Sequence, residues 1–354
     1  MKKITLLFIL CLTITSQSYS QSKFGEKKTI ADLIGYNISG EIEGLQDTSV
    51  MLAYYFGGKQ YATDTSKVVG GKFSFKGERE LQGGMYLVVL ANQQYFDIIV
   101  SEQHFSFSTK IDDLIGSMSF KNSNENPPFY EYLNFITQMQ KQVTPIRQQL
   151  ETAEGDAKKA LQEKANAIDV KVKKFREDFM INNKDKFFSK IVTATTEIQI
   201  PESPLDSKGN PDKTFPYRFY KNHFWDNFDF SDSRMLRTPI FFNKMDQYLN
   251  KLTAKHPDSI NVSADVLIKL SKANGDIFQY VVSYITSTYE RSKIMGMDAV
   301  FVHMVEKYYI TKQCDWVDST QLVKIADRAQ KIAPNLIGRE ASEFLDFYGR
   351  PFMK

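Results

Sequence analysis

The stretch KNSNENPPF, Lys121–Phe129, divides the chain in two. Its Asn-rich start and its Pro127–Pro128 pair close one periodic pattern and admit another. On its N-terminal side, from Tyr36 to Lys121, apolar and polar residues alternate in short runs. These are YNISGEIEG, SVMLAYY, QYATDTSKVV, KFSFKG, MYLVVL, YFDIIV and HFSFSTK. Successive strand residues point to opposite faces, so alternation bounded by turn residues predicts strands. Their regular spacing predicts a sandwich or open barrel of about seven or eight strands. Gly70–Gly71, between two such runs, predicts a hairpin.

On the C-terminal side the period changes. Phe129, Leu133, Ile136, Met139, Val143, Ile146 and Leu150 recur at three- and four-residue steps, as do Leu161, Ala165, Ile168, Val172, Phe175 and Phe179. Two such stripes joined by the short polar turn at 151–156 predict an antiparallel helical hairpin. Pro145 predicts a kink in its first helix. The loop IQIPESPLDSKGNPDKTFP (198–216), with four prolines, interrupts the helices. Loops of this length without structure of their own are usually functional or flexible. Further helices are expected at about 263–272, 277–292, 297–312 and 319–332. The fold class is therefore α+β and multidomain, an all-β sandwich or open barrel at 36–124 followed by an all-helical domain at 125–335.

The N-terminus reads differently. Lys2 and Lys3 precede an apolar run, Ile4 to Ile14, and small residues Ser18 and Ser20 follow. This is the pattern of a secretory signal peptide cleaved after Ser20, leaving a linker at 21–35. The run is too short to span a bilayer, so no integral membrane segment is expected after cleavage. Leu10 before Cys11 does not fit lipoprotein processing, which needs a small residue there. Losing Lys2 and Lys3 takes the net charge from +3 to +1, which gives no footing for a nucleic-acid partner. The expected location is the periplasm of a Gram-negative cell, with association with the cell envelope left open. One cysteine, Cys314, would remain in the mature chain. A single thiol forms neither an internal disulfide nor a Cys-x-x-Cys redox pair.

Chemistry-bearing motifs are few. The four histidines, His104, His223, His256 and His303, lack zinc-site spacing, and no metal or other cofactor is expected. His303 reads as a packing residue. His256, before Pro257, reads as a residue at a helix end, where a cation favours the dipole. Asp226, Asp229 and Asp232 are spaced by three and would share a helix face able to hold a cation or act as an acid/base pair. Against that, Phe228 and Phe230 alternate with them, and Asp232 is placed to cap a helix from Ser233. No nucleophile elbow or phosphate-binding glycine loop occurs, so no catalytic residue is assigned. Cys314, near Trp316, reads as a small packed hydrophobe. The densest feature is Tyr217, Phe219, Tyr220, Phe224, Trp225, Phe228 and Phe230. Two readings stand: a core or interdomain seam, or a contact surface for a protein or peptide, a second copy of the chain among them.

The ending, LIGREASEFLDFYGRPFMK, resembles the opening of exported thioredoxin-fold proteins of the TlpA and ResA kind. Gly338, Ala341 and Phe344 match that family's Gly–x–x–Ala–x–x–Phe pattern, and Gly349, Arg350 and Pro351 match its turn. Ser342 stands where family members commonly have proline. ISGEIEGLQDTSVMLAYY with TDTSKVVGGKFSFKG resembles the β-rich domain of unknown function preceding many such thioredoxin domains. HFWDNFDFSDSRMLRTPIFFNKMDQYL resembles the helical domain between the two. The resemblance implies that 336–354 begin a thioredoxin-like domain and that the chain is the accessory portion of a thiol:disulfide interchange protein. It would position, dimerise or select substrates for a redox domain whose Cys-x-x-Cys pair this sequence does not contain. The other class is a stand-alone exported protein that binds a peptide or glycan.

Overall fold

The computed structural model describes residues 35–338. The expected signal peptide, nearly all of the linker and the tail residues Ala341, Phe344 and Gly349–Pro351 lie outside the described residues.

The β-rich part contains β1 (Tyr36–Glu43), β2 (Ser49–Phe56), β3 (Lys59–Lys67), β4 (Lys72–Gly77), β5 (Gly84–Val89), β6 (Tyr95–Val100), β7 (His104–Lys110) and β8 (Ser119–Lys121). They form two four-stranded sheets, ordered β4-β1-β7-β8 and β3-β2-β5-β6. Between the sheets lies a core that includes Ile38, Ile42, Leu52, Phe75, Val88 and Ile98. Alternation produces this directly: along β1, Ile38, Gly40 and Ile42 turn inward while Glu41 and Glu43 face water.

Gly70–Gly71 is a tight turn, with Val69 and Lys72 bridged across it. It does not close a hairpin within a sheet, because β3 and β4 belong to different sheets. Side chains span that gap in place of backbone: Asp64 accepts from the Lys76 amide at 3.1 Å and Ser66 from the Ser74 amide at 3.1 Å. Gly57–Gly58, between the paired strands β2 and β3, is a hairpin turn, with φ of 59° and 75°. Positive φ at both central residues suits the twist of the flanking strands and favours glycine.

Nine α-helices follow among the described residues: α1 (Asn126–Leu150), α2 (Gly155–Asn182), α3 (Phe187–Ala194), α4 (Phe215–His223), α5 (Pro239–Asp246), α6 (Pro257–Ser271), α7 (Gly275–Glu290), α8 (Asp298–Met304) and α9 (Ser319–Ile332). The expected helical hairpin is α1–α2. Its outer half has a small seam of its own, Val143, Ala165 and Ile168 with Met139, Ile146 and Leu150. α1 continues through Pro145 to Leu150, so the proline removes one helical hydrogen bond without ending the helix. The helix expected from 297 to 312 is α8 followed by a π-helical turn, Val305–Tyr309. A second π-turn, Gln247–Lys251, extends α5. At the tip of the proline-rich loop Asp206 accepts from the Lys208 and Asn210 amides at 2.8 and 2.9 Å.

The two parts are packed as three layers. Met85 and Ile99, from the second sheet, are buried in the helical core. Asn126 at the start of α1 pairs with the free edge of β6 at Ile99, and Tyr130 Oη donates to the Asp97 carbonyl at 2.9 Å. The 3₁₀ turn Ser233–Arg237 lies against the start of β5. A β-carbon on Gly84, whose φ is 149°, would sit 2.4 Å from that of Arg237. At the other end, the Gly57–Gly58 turn meets Tyr280 of α7 and Phe242 of α5. No helix among the described residues is long and apolar enough to cross a membrane.

Candidate functional site: an aromatic platform and two lysines

The aromatic segment begins in α4, which Pro216 helps to start because its missing N–H and fixed φ suit a first helical turn. The structure divides the seven residues. Phe224, Trp225, Phe228 and Phe230 are buried, at 2–6% exposed. Tyr217 is half exposed, and Phe219 and Tyr220 are partly exposed. The inner four form one aromatic core with Phe241 and Tyr248: Trp225 packs on Phe228, Phe230 and Tyr248 with ring centroids 5.2–5.5 Å apart. A contact surface made by all seven is therefore corrected. The inner four are core, packed on one another and on Phe241 and Tyr248; Tyr220 is partly buried against Phe224, Phe219 is partly buried, and Tyr217 is the exposed one. Trp225 Nε1 is buried without a hydrogen-bond partner.

Two lysines frame this platform. Phe224 stacks on Tyr248 at 5.5 Å with 24° between planes. Lys244 Nζ, from α5, stands 4.3 Å above the Phe224 ring and 5.6 Å from that of Trp225. Lys221 Nζ, from α4, stands 5.9 Å above Tyr248. Each of the two segments thus sends a cation over the other's ring, Phe224 just after α4 and Tyr248 in the π-turn after α5. Neither ammonium makes a salt bridge or a hydrogen bond among the described residues. Loss of water pushes the Lys244 amine down to about 8 and lowers that of Lys221. Sequence reading missed both. The only signal was spacing, Lys221 three before Phe224 and Lys244 four before Tyr248.

The three aspartates do not share a helix face. Asp226 accepts from His223 Nδ1 at 2.6 Å. Asp229 meets Lys190 at 2.8 Å and accepts from the Ser231 amide. Asp232 caps the 233–237 turn by accepting from the Arg234 amide, as its position before Ser233 foretold, and also holds Lys190 Nζ at 2.8 Å and Arg234 Nη2 at 2.6 Å. Burial raises the Asp232 carboxyl, but the bonds from Arg234 and Lys190 outweigh it and hold the group at about 2. Among the described residues no cluster of His, Cys, Asp or Glu could hold a metal ion.

A second polar cluster ties α6 to α8 and its π-turn. Asp265 Oδ1 bonds His303 Nε2 at 2.9 Å and accepts from Tyr308 Oη at 2.7 Å, while Oδ2 accepts from Lys307 at 2.7 Å. Three partners on one carboxylate fasten neighbouring helices, and His303 belongs to that packing. His256 sits at the N-terminus of α6, not at the C-terminal end where a cation favours the dipole; Asp258, 3.5 Å away, is the group suited to that end. Cys314 is buried, and desolvation with the adjacent Asp315 charge pushes its thiol up to about 12. A thiol held protonated is a poor nucleophile.

Two family models match the chain. Residues 36–136 match a domain of unknown function, DUF4369, which covers the β-rich part and the start of α1. Residues 180–335 match a second domain of unknown function, DUF5106, which runs from the end of α2 through α9. The outer part of the α1–α2 hairpin falls between them. No curated protein and no solved structure matches.

Proposed function

We propose that this chain is a non-catalytic, protein-binding accessory region of an exported thioredoxin-like thiol:disulfide oxidoreductase. The observation that carries the reading is the shared core: Met85 and Ile99 of the second sheet pack among the helices, so the β-rich and helical parts form one scaffold. Such a unit suits holding another domain or a substrate in place better than doing chemistry. The protonated, buried Cys314 fits the same role, and the sequence resemblance at Gly338, Ala341 and Phe344 supplies the redox partner. The test pairs two assays on purified residues 21–354. The chain alone should leave insulin disulfides unreduced, and calorimetry should detect binding to a separately purified thioredoxin-like domain of the TlpA or ResA kind. Reduction by the chain alone, or absence of binding to such a domain, would overturn the reading.

A second reading, a stand-alone exported protein that binds a peptide or glycan, has one observation in its favour. A hollow of about 350 Å³ lies on the outer face of the first sheet, lined by Ser39, Ser106, Ser108, Ser119, Lys72 and Lys121. Saturable binding of an oligosaccharide, abolished by Ser106→Trp, would favour it over the first.

A further inference from the structure

Helix α6 keeps an apolar row in water. Its inward side is buried through Ile260, Ala264, Leu267 and Ile268, and Asp265 on one flank is tied to His303, Lys307 and Tyr308. On the outward side Val262, Val266 and Leu270 are 65, 44 and 38% exposed. They stand four residues apart, so they form one row along the helix that turns by about 40° at each step. The outward face of a helix that meets only solvent is ordinarily polar.

Two charges edge the row. Asp258, four before Val262, begins it, and its carboxylate is exposed, with the exposed His256 at 3.5 Å. Lys269, about three turns later, comes back to within about 20° of Asp258 around the helix axis. It is exposed and makes no salt bridge or hydrogen bond among the described residues. One flank of the row thus carries an acid at its start and a base at its end.

That arrangement complements itself. Laid antiparallel on a second α6, with a two-fold axis midway between Val262 and Val266, Val262 of one copy meets Val266 of the other. Asp258 then lies within about 1.5 Å, one residue's rise, of Lys269 along the shared axis. Antiparallel packing brings like flanks together, so the acid–base pair forms twice. Parallel packing would set acid against acid and base against base.

We propose that this face of α6 is a homodimer interface, an isologous contact whose occupant is a second copy of this chain. A single helix face is smaller than a standard interface, so the dimer should form only at micromolar concentration or above. The inference is independent of the redox reading, since an accessory region and a stand-alone binding protein could both dimerise this way.

Sedimentation equilibrium on purified residues 21–354 should show a monomer–dimer equilibrium. Val266→Glu, with an unchanged melting temperature, should weaken it by about a hundredfold, since it brings buried charge close to the two-fold axis. Asp258→Lys and Lys269→Asp should each weaken it by about tenfold. An equimolar mixture of those two variants should associate as well as the wild type, because every mixed pair again joins an acid to a base. This recovery is informative even if Val266→Glu fails to fold. A wild-type chain monomeric at every concentration, or a dimer indifferent to Val266→Glu, would overturn the proposal. No recovery in the mixture would overturn the antiparallel arrangement on which it rests. A monomer that binds a separately purified thioredoxin-like domain, and loses that binding in Val266→Glu, would overturn the second copy as occupant and give the face to that partner. A dimer that leaves the thioredoxin-like domain unbound would uphold the inference and remove the redox reading.

Discussion

The side-chain amide of Asn126 pairs with both backbone groups of Ile99: Oδ1 accepts the Ile99 N–H at 2.8 Å and Nδ2 donates to the Ile99 carbonyl at 2.8 Å. Asn126 is fully buried at the first position of α1, and Ile99 lies on β6, the edge strand of the second sheet. One side chain thus completes a strand edge that would otherwise be left unpaired inside the protein. Asn126→Leu keeps the size and removes both bonds. The Ile99 amide and carbonyl would be stranded, at a cost of about 2–4 kcal/mol. Urea unfolding followed by tryptophan fluorescence should show the midpoint falling while the transition remains single. Two separated transitions would mean that the sheets and helices fold independently.

Acid should weaken the same junction. Asp232 has its folded pKa depressed to about 2 from 3.8. A depressed carboxyl contributes stability that is fully present above the unfolded pKa and is lost as pH falls through the folded one. The window therefore lies between about pH 4 and pH 2, and the contribution is about 2 kcal/mol. Asp232→Asn should lower stability at pH 6 and flatten the loss between pH 4 and pH 2. A parallel acid profile in the variant would assign the effect to other groups.

Asp97 runs the other way. Burial raises its carboxyl to about 6, although Tyr55 Oη donates to it at 3.1 Å and opposes the shift. A raised acid binds its proton more tightly in the folded state, so this group adds stability as pH falls from about 6 toward 4. Asp97→Asn should remove that local rise, read as the difference between wild-type and variant unfolding midpoints at pH 7 and pH 5.

Trp225 tests the division of the aromatic segment. As core, Trp225→Ala should cost about 3–5 kcal/mol. Trp225→Phe should cost less, because it keeps much of the ring contact with Phe228 and Tyr248 and removes an N–H that has no partner. Phe219→Ala, on the outward side, should cost about 1 kcal/mol or less. Comparable losses at positions 219 and 225 would show that the whole segment is core.

Cys314 gives the simplest measurement. Its thiol, pushed up to about 12, should resist a disulfide reagent at pH 8 in the folded chain and react at once in denaturant. Rapid reaction in the folded state would show that Cys314 is a reactive thiol.

Local pattern carried the secondary structure. Alternation in YNISGEIEG placed Ile38 and Ile42 inside because a strand has a period of two, and the three-four stripe from Leu161 to Phe179 made α2 because a helix has a period of 3.6. Asp232 was recognisable as a cap from its place before Ser233, since capping is a contact between neighbours in sequence. MYLVVL and YFDIIV were read with the alternating runs, yet β5 is buried along nearly its whole length and β6 along its second half, because both faces of that sheet are covered.

What covers it was settled by the tertiary structure alone. Met85 and Ile99 meet the helical core, and Asn126 meets Ile99 across 27 positions of sequence. The Gly70–Gly71 turn showed the same limit: it was legible as a turn, while the sheet each flanking strand would join depended on partners far along the chain. Lys244 over Phe224, and Lys221 over Tyr248, are meetings between segments well apart in sequence that only the folded chain brings together. Periodicity reports which face of an element avoids water. It says nothing of which other face will meet it, because that choice is made by packing between residues that sequence keeps apart.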